Sequence, residues 1–167
     1  MRIFLVGYMG SGKTTLGEKL AYLLKYQFID LDKYIQEKEG RTIKQIFEED
    51  GEEYFRKLER VYLHRIIDSE DVVISSGGGT PCFFDNMDQM NEYGQTIYIN
   101  LHPKALIARL LTSDDTRPLL AGKTEKEMLD FVFQQLRERE VFYKQAKKIT
   151  SGYNLTARKL LEYCSEE

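Results

Sequence analysis

Gly7-Tyr8-Met9-Gly10-Ser11-Gly12-Lys13-Thr14 matches G-x-x-x-x-G-K-[ST] without a mismatch. This pattern is the phosphate-binding loop of nucleotide enzymes, and the chemistry dictates its residue types. Glycines let backbone N–H groups curl around an anion without Cβ clashes. A helix starting at the end of the loop adds partial positive charge at the same spot. Lys13 can then neutralise β- and γ-phosphate oxygens, and the Thr14 hydroxyl can hold Mg²⁺. The candidate nucleotide-binding residues are therefore Gly10, Ser11, Gly12, Lys13, Thr14 and Thr15. A chance glycine-rich turn is the competing explanation, and the flanks argue against it. Ile3-Phe4-Leu5-Val6 before the loop reads as a buried strand, and Leu16, Leu20, Leu23 and Leu24 after it mark one face of a helix.

Further along, Asp30-Leu31-Asp32 places two carboxylates two residues apart at the end of a short strand around Phe28-Ile29. Extended backbone would point both the same way. One could serve a metal's water shell and the other a substrate hydroxyl. Alternatively, Asp30 caps a helix and Asp32 is a solvated acid. Gly77-Gly78-Gly79 follows the strand Val72-Val73-Ile74 and reads either as a flexible turn or as bare backbone for a small ligand. Arg56 and Glu59 stand three apart and can pair on a helix. That spacing alone favours a surface ion pair, although a buried pair could aim Arg56 at a carboxylate or phosphate. Arg117, in the polar stretch after Thr112, fits either a solvated loop or a mobile lid over about 111–124. Arg109 and Arg139 fall on helices, and the charged run around Arg139 favours a surface position.

The elements that must position these groups alternate. The spacing predicts helices opened by capping boxes at Thr42–Gln45 and Thr124–Glu127, with Gly51 ending the first. It predicts a helix over about 53–67 with Phe55, Leu58, Tyr62, Leu63 and Ile66 inward, and one through Leu129, Val132, Phe133 and Leu136. Thr96–Ile99 and Lys148–Thr150 read as further strands, Pro103 as the first turn of a helix, and Leu155 to Tyr163 as the final helix. Apolar strands alternating with helices imply a parallel sheet covered on both faces. Ligands in such sheets gather at the strands' carboxyl ends, where the glycine loop, Asp30 and Gly77 all fall.

At 167 residues the chain suits one domain over 1–167. Hydrophobic content of 42% and charged content of 31% are ordinary for a soluble protein. A net charge of −3 argues against nucleic acid as the main partner, and no apolar run approaches membrane-spanning length. The four-residue apolar run near the N-terminus is too short for a signal peptide. A cytoplasmic monomer is the expectation, with Cys82 and Cys164 as reduced thiols and His64 and His102 in packing or surface roles.

Taken together these residues resemble the shikimate kinase family, within the nucleoside-monophosphate-kinase-like group. The resemblance runs through the loop, Phe28-x-Asp30-x-Asp32, Phe55-Arg56-x-x-Glu59, the triple glycine, Arg109, Arg117-Pro118-Leu119 and Arg139-x-x-x-Tyr143, and it covers nearly the whole chain. It implies a P-loop kinase fold: three α/β/α layers around a five-stranded parallel sheet of order 2-3-1-4-5, with a mobile lid. It implies transfer of the ATP γ-phosphoryl group to the 3-hydroxyl of shikimate, with ATP and Mg²⁺. Lys13, Asp32 and Arg117 would be catalytic, with Asp32 the candidate base and Arg117 closing over the phosphates. Asp30, through water, and Thr14 would serve the metal. Arg56 and Arg139 would clamp the shikimate carboxylate, with Glu59 supporting Arg56. Gly77, Gly78 and Gly79 would face the substrate, which would contact a region of about 31–62. Arg109 would lie along the adenine. Gln36 departs from the family, standing where an acid is common. Another small-molecule kinase, such as a gluconate kinase, and a nucleotide-dependent switch module remain the alternatives.

Overall fold

The computed structural model describes residues 1–112 and 121–165. Arg117 and the centre of the expected lid lie outside the described residues. In chain order the elements are β1 (Arg2–Val6), α1 (Lys13–Leu24), β2 (Gln27–Asp30), α2 (Leu31–Glu39), α3 (Ile43–Ile67), β3 (Val72–Ser75), a 3-10 turn (Thr80–Cys82), α4 (Asn86–Tyr93), β4 (Gln95–Asn100), α5 (Pro103–Thr112), α6 (Glu125–Tyr143), β5 (Lys148–Ser151) and α7 (Ala157–Ser165).

The strands form one parallel sheet of order β2-β3-β1-β4-β5, as expected. Its inner strands β1, β3 and β4 are buried on both sides because both faces are covered, whereas the edge strands β2 and β5 are partly exposed. In β1, Ile3 and Leu5 point to a layer built by Leu20, Ala21, Ala157 and Leu160 from α1 and α7. Phe4 and Val6 point the other way, into a larger core shared by α2 through α6. The period of two thus splits one strand between two helix layers. Register aligns the functional strand ends: Leu5 pairs with Ser75, and Ser75 with Asp30. β1, β2 and β3 therefore deliver the glycine loop, the first aspartate and the triple glycine to one rim.

Both capping boxes are formed. Thr42 and Thr124 accept from the backbone N–H of Gln45 and Glu127, whose side chains reach back to the cap N–H groups. Gly51 interrupts α3 with a φ of 83°, a left-handed conformation that glycine adopts without strain. The helix resumes beyond it and buries Phe55, Tyr62, Leu63 and Ile66.

Several expectations need correction. Leu23 is exposed; the inner face of α1 runs through Lys13, Gly17, Leu20 and Ala21. Phe133 is exposed too and meets His102 edge-on, because Val132 and Leu136 already define the buried stripe of α6. Asp30 and Asp32 do not share an extended segment, since the chain turns into α2 at Leu31. Among the described residues no helix is long and apolar enough to cross a membrane.

Candidate active site

The phosphate loop joins β1 to α1. Gly10 and Gly12 hold φ of 79° and 98°, so the loop curls through a backbone conformation that glycine adopts without strain. Gly12 caps α1 without a side-chain hydrogen bond, and no acid lies in the first turn. The amides that open α1 are thus left to an anion, with no acid of the helix's own first turn set against it. The buried Ser11 hydroxyl has no hydrogen-bond partner among the described residues. Lys13 is buried, and its ammonium donates to the carbonyls of Gly7 and Tyr8 at 2.6 and 2.9 Å. Its charge is fixed directly under the loop.

Asp30 serves two purposes. Its Oδ1 caps α2 by accepting from Lys33 N at 3.2 Å, and its Oδ2 accepts from the Thr14 hydroxyl at 2.8 Å. The helix-cap explanation is therefore correct, without excluding the other. Hydroxyl and carboxylate oxygens side by side at the end of the loop are hard donors that fit Mg²⁺, which takes few protein ligands and leaves its other positions to water and phosphate.

Asp32 sits in the first turn of α2, half-buried, and is not simply a solvated acid. Its carboxyl is pushed up to about 6, first by burial, then by the negative charges of Glu59 and Asp30; Lys13 and Arg56 oppose the rise. Both aspartates, Lys13, Thr14, Thr15, Gly77 and Gly78 line one cleft of about 820 Å³. A larger concavity of about 1100 Å³ lies between β5 and α6, around His102, Arg137 and Ile149. It holds neither the loop nor the aspartates, so the chemistry belongs to the smaller one.

The triple glycine is explained by what crowds against it. A Cβ on Gly77 would lie 2.9 Å from Asp32 Oδ1 and 3.2 Å from Glu59 Oε2. On Gly78 it would meet Arg139 Nη1 at 3.3 Å, and on Gly79 both Arg56 terminal nitrogens at 2.6 Å. The segment is bare so that two carboxylates and two guanidiniums can stand directly against it.

Arg56 is only 8% exposed and Glu59 is fully buried, so they are not the surface pair that spacing alone favoured. Arg56 Nη1 donates to Glu59 Oε1 at 3.0 Å, and its guanidinium stacks over Phe83, 4.2 Å from the ring centroid. The Thr80 hydroxyl donates to the other Glu59 oxygen at 2.7 Å. Burial pushes the Glu59 carboxyl up, while Arg56 and Thr80 hold it down. Arg139 likewise faces inward, with its guanidinium 5.6 Å from the Tyr8 ring centroid. Tyr143, one turn along α6, donates its hydroxyl to the Gly78 carbonyl.

Arg109, near the end of α5, donates to Ser11 O at 3.2 Å and more weakly to Gly10 and Gly152 carbonyls at 3.5 Å. It bridges the loop to the segment after β5. Gln36 accepts from Ile43 N at 2.9 Å and so ties α2 to the start of α3. Thr80 and Phe83 carried no sequence signal. They follow the triple glycine, and only folding brings α3 beside them.

Gly79→Ala should force the Arg56 guanidinium aside. The expected result is a raised KM for the acidic substrate with the KM for nucleotide unchanged; equal changes in both would show that the close approach does not matter.

A glycine loop between β1 and α1, at the carboxyl rim of a 2-3-1-4-5 sheet with two aspartates beside it, defines a P-loop kinase. The family model for shikimate kinase matches residues 9–167. A shikimate kinase from Bacteroides fragilis is 50% identical over 162 residues, covering 97% of this chain and 90% of that protein. A crystal structure of shikimate kinase from Bacteroides thetaiotaomicron superimposes with a TM-score of 0.95 at 46% identity, covering 98% of this chain and 97% of the other. Shikimate kinase from Acinetobacter baumannii, solved in complex with shikimate, gives 0.85 at 33% identity, covering 97% and 89%. The chain belongs to the shikimate kinase family.

Proposed function

We propose that this protein transfers the γ-phosphoryl group of ATP to the 3-hydroxyl of shikimate, giving shikimate 3-phosphate and ADP, a step toward chorismate and the aromatic amino acids. The observation that carries this is a convergence. The phosphate loop with its fixed lysine, Asp30, Asp32 and the glycines 77 and 78 line one cleft, and the Arg139 and Arg56 guanidiniums stand against Gly78 and Gly79 at its wall.

The reaction needs little covalent help from protein, because the transition state is loose; it needs alignment and charge. Loop amides and Lys13 hold the β- and γ-phosphates. Arg56 and Arg139 fix the acid's carboxylate, and the Gly77–Gly79 backbone contacts its hydroxyls. The 3-hydroxyl oxygen then attacks the γ-phosphorus, the bond to the β,γ-bridging oxygen breaks, and ADP departs. The hydroxyl proton passes to Asp32, whose raised pKa suits it to accept at neutral pH. Mg²⁺, held by Thr14 and through water by Asp30, would neutralise charge on the phosphates. Arg117 is assigned the closing lid over about 111–124, Arg109 the adenine side, and 31–62 the acid-binding region. We assign the whole chain to one domain and the protein to the cytoplasm as a monomer.

Arg56→Lys should raise the KM for shikimate by about ten- to a hundredfold, since a point charge replaces a bidentate fork, and should leave the KM for ATP alone. An unchanged shikimate KM would remove Arg56 from the acid grip. The function itself is tested by coupled ADP release. Turnover that requires shikimate is expected. Turnover with gluconate instead would favour another small-molecule kinase, and acid-independent hydrolysis would favour a nucleotide switch.

A further inference from the structure

Tyr8 occupies a variable position of the phosphate-loop pattern, where phosphate binding requires no particular side chain. Its side chain nevertheless does three things at once. It is 2% exposed, although it leaves the strand at the rim where ligands gather. Its hydroxyl donates to Gln135 Oε1 on α6. Its ring carries the Arg139 guanidinium at 5.6 Å, inside cation–π range.

The spacing on α6 makes these contacts one device. Gln135, Arg139 and Tyr143 stand four apart and share a face. The Tyr8–Gln135 hydrogen bond sets the height of the ring against α6, one turn below Arg139. On its other side Arg139 is stopped by Gly78, where a Cβ would lie 3.3 Å from Nη1 and 3.5 Å from Met9 N. The Gly78 carbonyl is in turn held by Tyr143. Arg139 is a long, flexible side chain, and a grip on a carboxylate demands that it be held in place.

We propose that Tyr8 is a positioning residue for the acidic substrate: it braces Arg139 through its ring and fixes that ring to α6 through its hydroxyl. A residue within the nucleotide loop thereby governs affinity for the other substrate. The proposal rests on the assignment of Arg139 to the acid's carboxylate.

The test is steady-state kinetics on the full chain with ATP, Mg²⁺ and shikimate. Tyr8→Leu should raise the KM for shikimate about three- to thirtyfold, while the KM for ATP stays within about twofold. Tyr8→Phe keeps the ring and should stay within about threefold of wild type for shikimate. In an Arg139→Met background, Tyr8→Leu should add less than about a further twofold, since the brace then has nothing to hold. If Tyr8→Leu fails to fold, Tyr8→Met carries the same prediction. An unchanged shikimate KM in Tyr8→Leu, an ATP KM raised as much as the shikimate KM, or the same increment with and without Arg139 would each overturn the proposal. An Arg139→Met enzyme with a normal shikimate KM would instead overturn the assignment of Arg139, and the proposal with it.

Discussion

Lys13→Ala should lower kcat by about a hundred- to a thousandfold, the scale of losing one fixed charge that faces the transition state. The ammonium is buried and tied to Gly7 and Tyr8 carbonyls at 2.6 and 2.9 Å, so its charge is already held at the loop before a nucleotide arrives. A flexible surface lysine would have to be ordered first. Single-turnover measurement separates this effect from weaker nucleotide binding. A near-normal rate at saturating ATP would show that the loop amides and the metal suffice.

Asp32→Asn should have two effects of opposite sign. Proton transfer to the carboxylate is lost, so kcat should fall by about a hundred- to ten-thousandfold, with a much smaller change in nucleotide affinity. Wild-type activity should also fall as pH drops through about 6, where Asp32 becomes protonated, and the residual activity of the variant should lack that limb. Stability should move the other way. The folded-state pKa lies above the ordinary value of 3.8, so Asp32 favours the fold below about pH 4, and that contribution disappears as pH rises through 6. At pH 7 its charge works against the fold. The full shift corresponds to about 3 kcal/mol, and partial exposure reduces this to about 1–2 kcal/mol. The uncharged variant should therefore melt at a higher temperature than wild type while turning over far more slowly. Equal losses in kcat and nucleotide affinity would move Asp32 to the metal. A lowered melting temperature would mean that it supports the fold.

The parts of this site legible in the sequence were those encoded locally. The phosphate loop is a contiguous pattern between a strand and a helix, and both capping boxes are spelled within four residues. Other parts depend on long-range packing. α2 buries only Leu31 and Ile35, too few apolar residues for its period to stand out, and α4 buries only Asn86, Met87 and Met90. Read without the family resemblance, Arg56 was set at the surface by its i,i+3 spacing to Glu59 and Arg139 by the charged run around it, and both readings passed over helical position. Val132, Leu136, Arg139 and Tyr143 follow helical spacing along one stripe, as do Arg56, Glu59, Leu63 and Ile66. A charged residue on an apolar stripe is a signal of burial with a partner or a ligand. The triple glycine could be read either way, because the side chains that crowd it come from α2, α3 and α6.

In the proposed reaction one cleft aligns a nucleotide's terminal phosphate with a hydroxyl of a small carboxylic acid. NMR analysis of a reaction with ATP, Mg²⁺ and shikimate tests it most directly. One equivalent of shikimate 3-phosphate should form for each ADP, with no free phosphate. ADP accompanied by inorganic phosphate, at a rate that ignores shikimate, would mean that the cleft hydrolyses nucleotide and does not phosphorylate the acid.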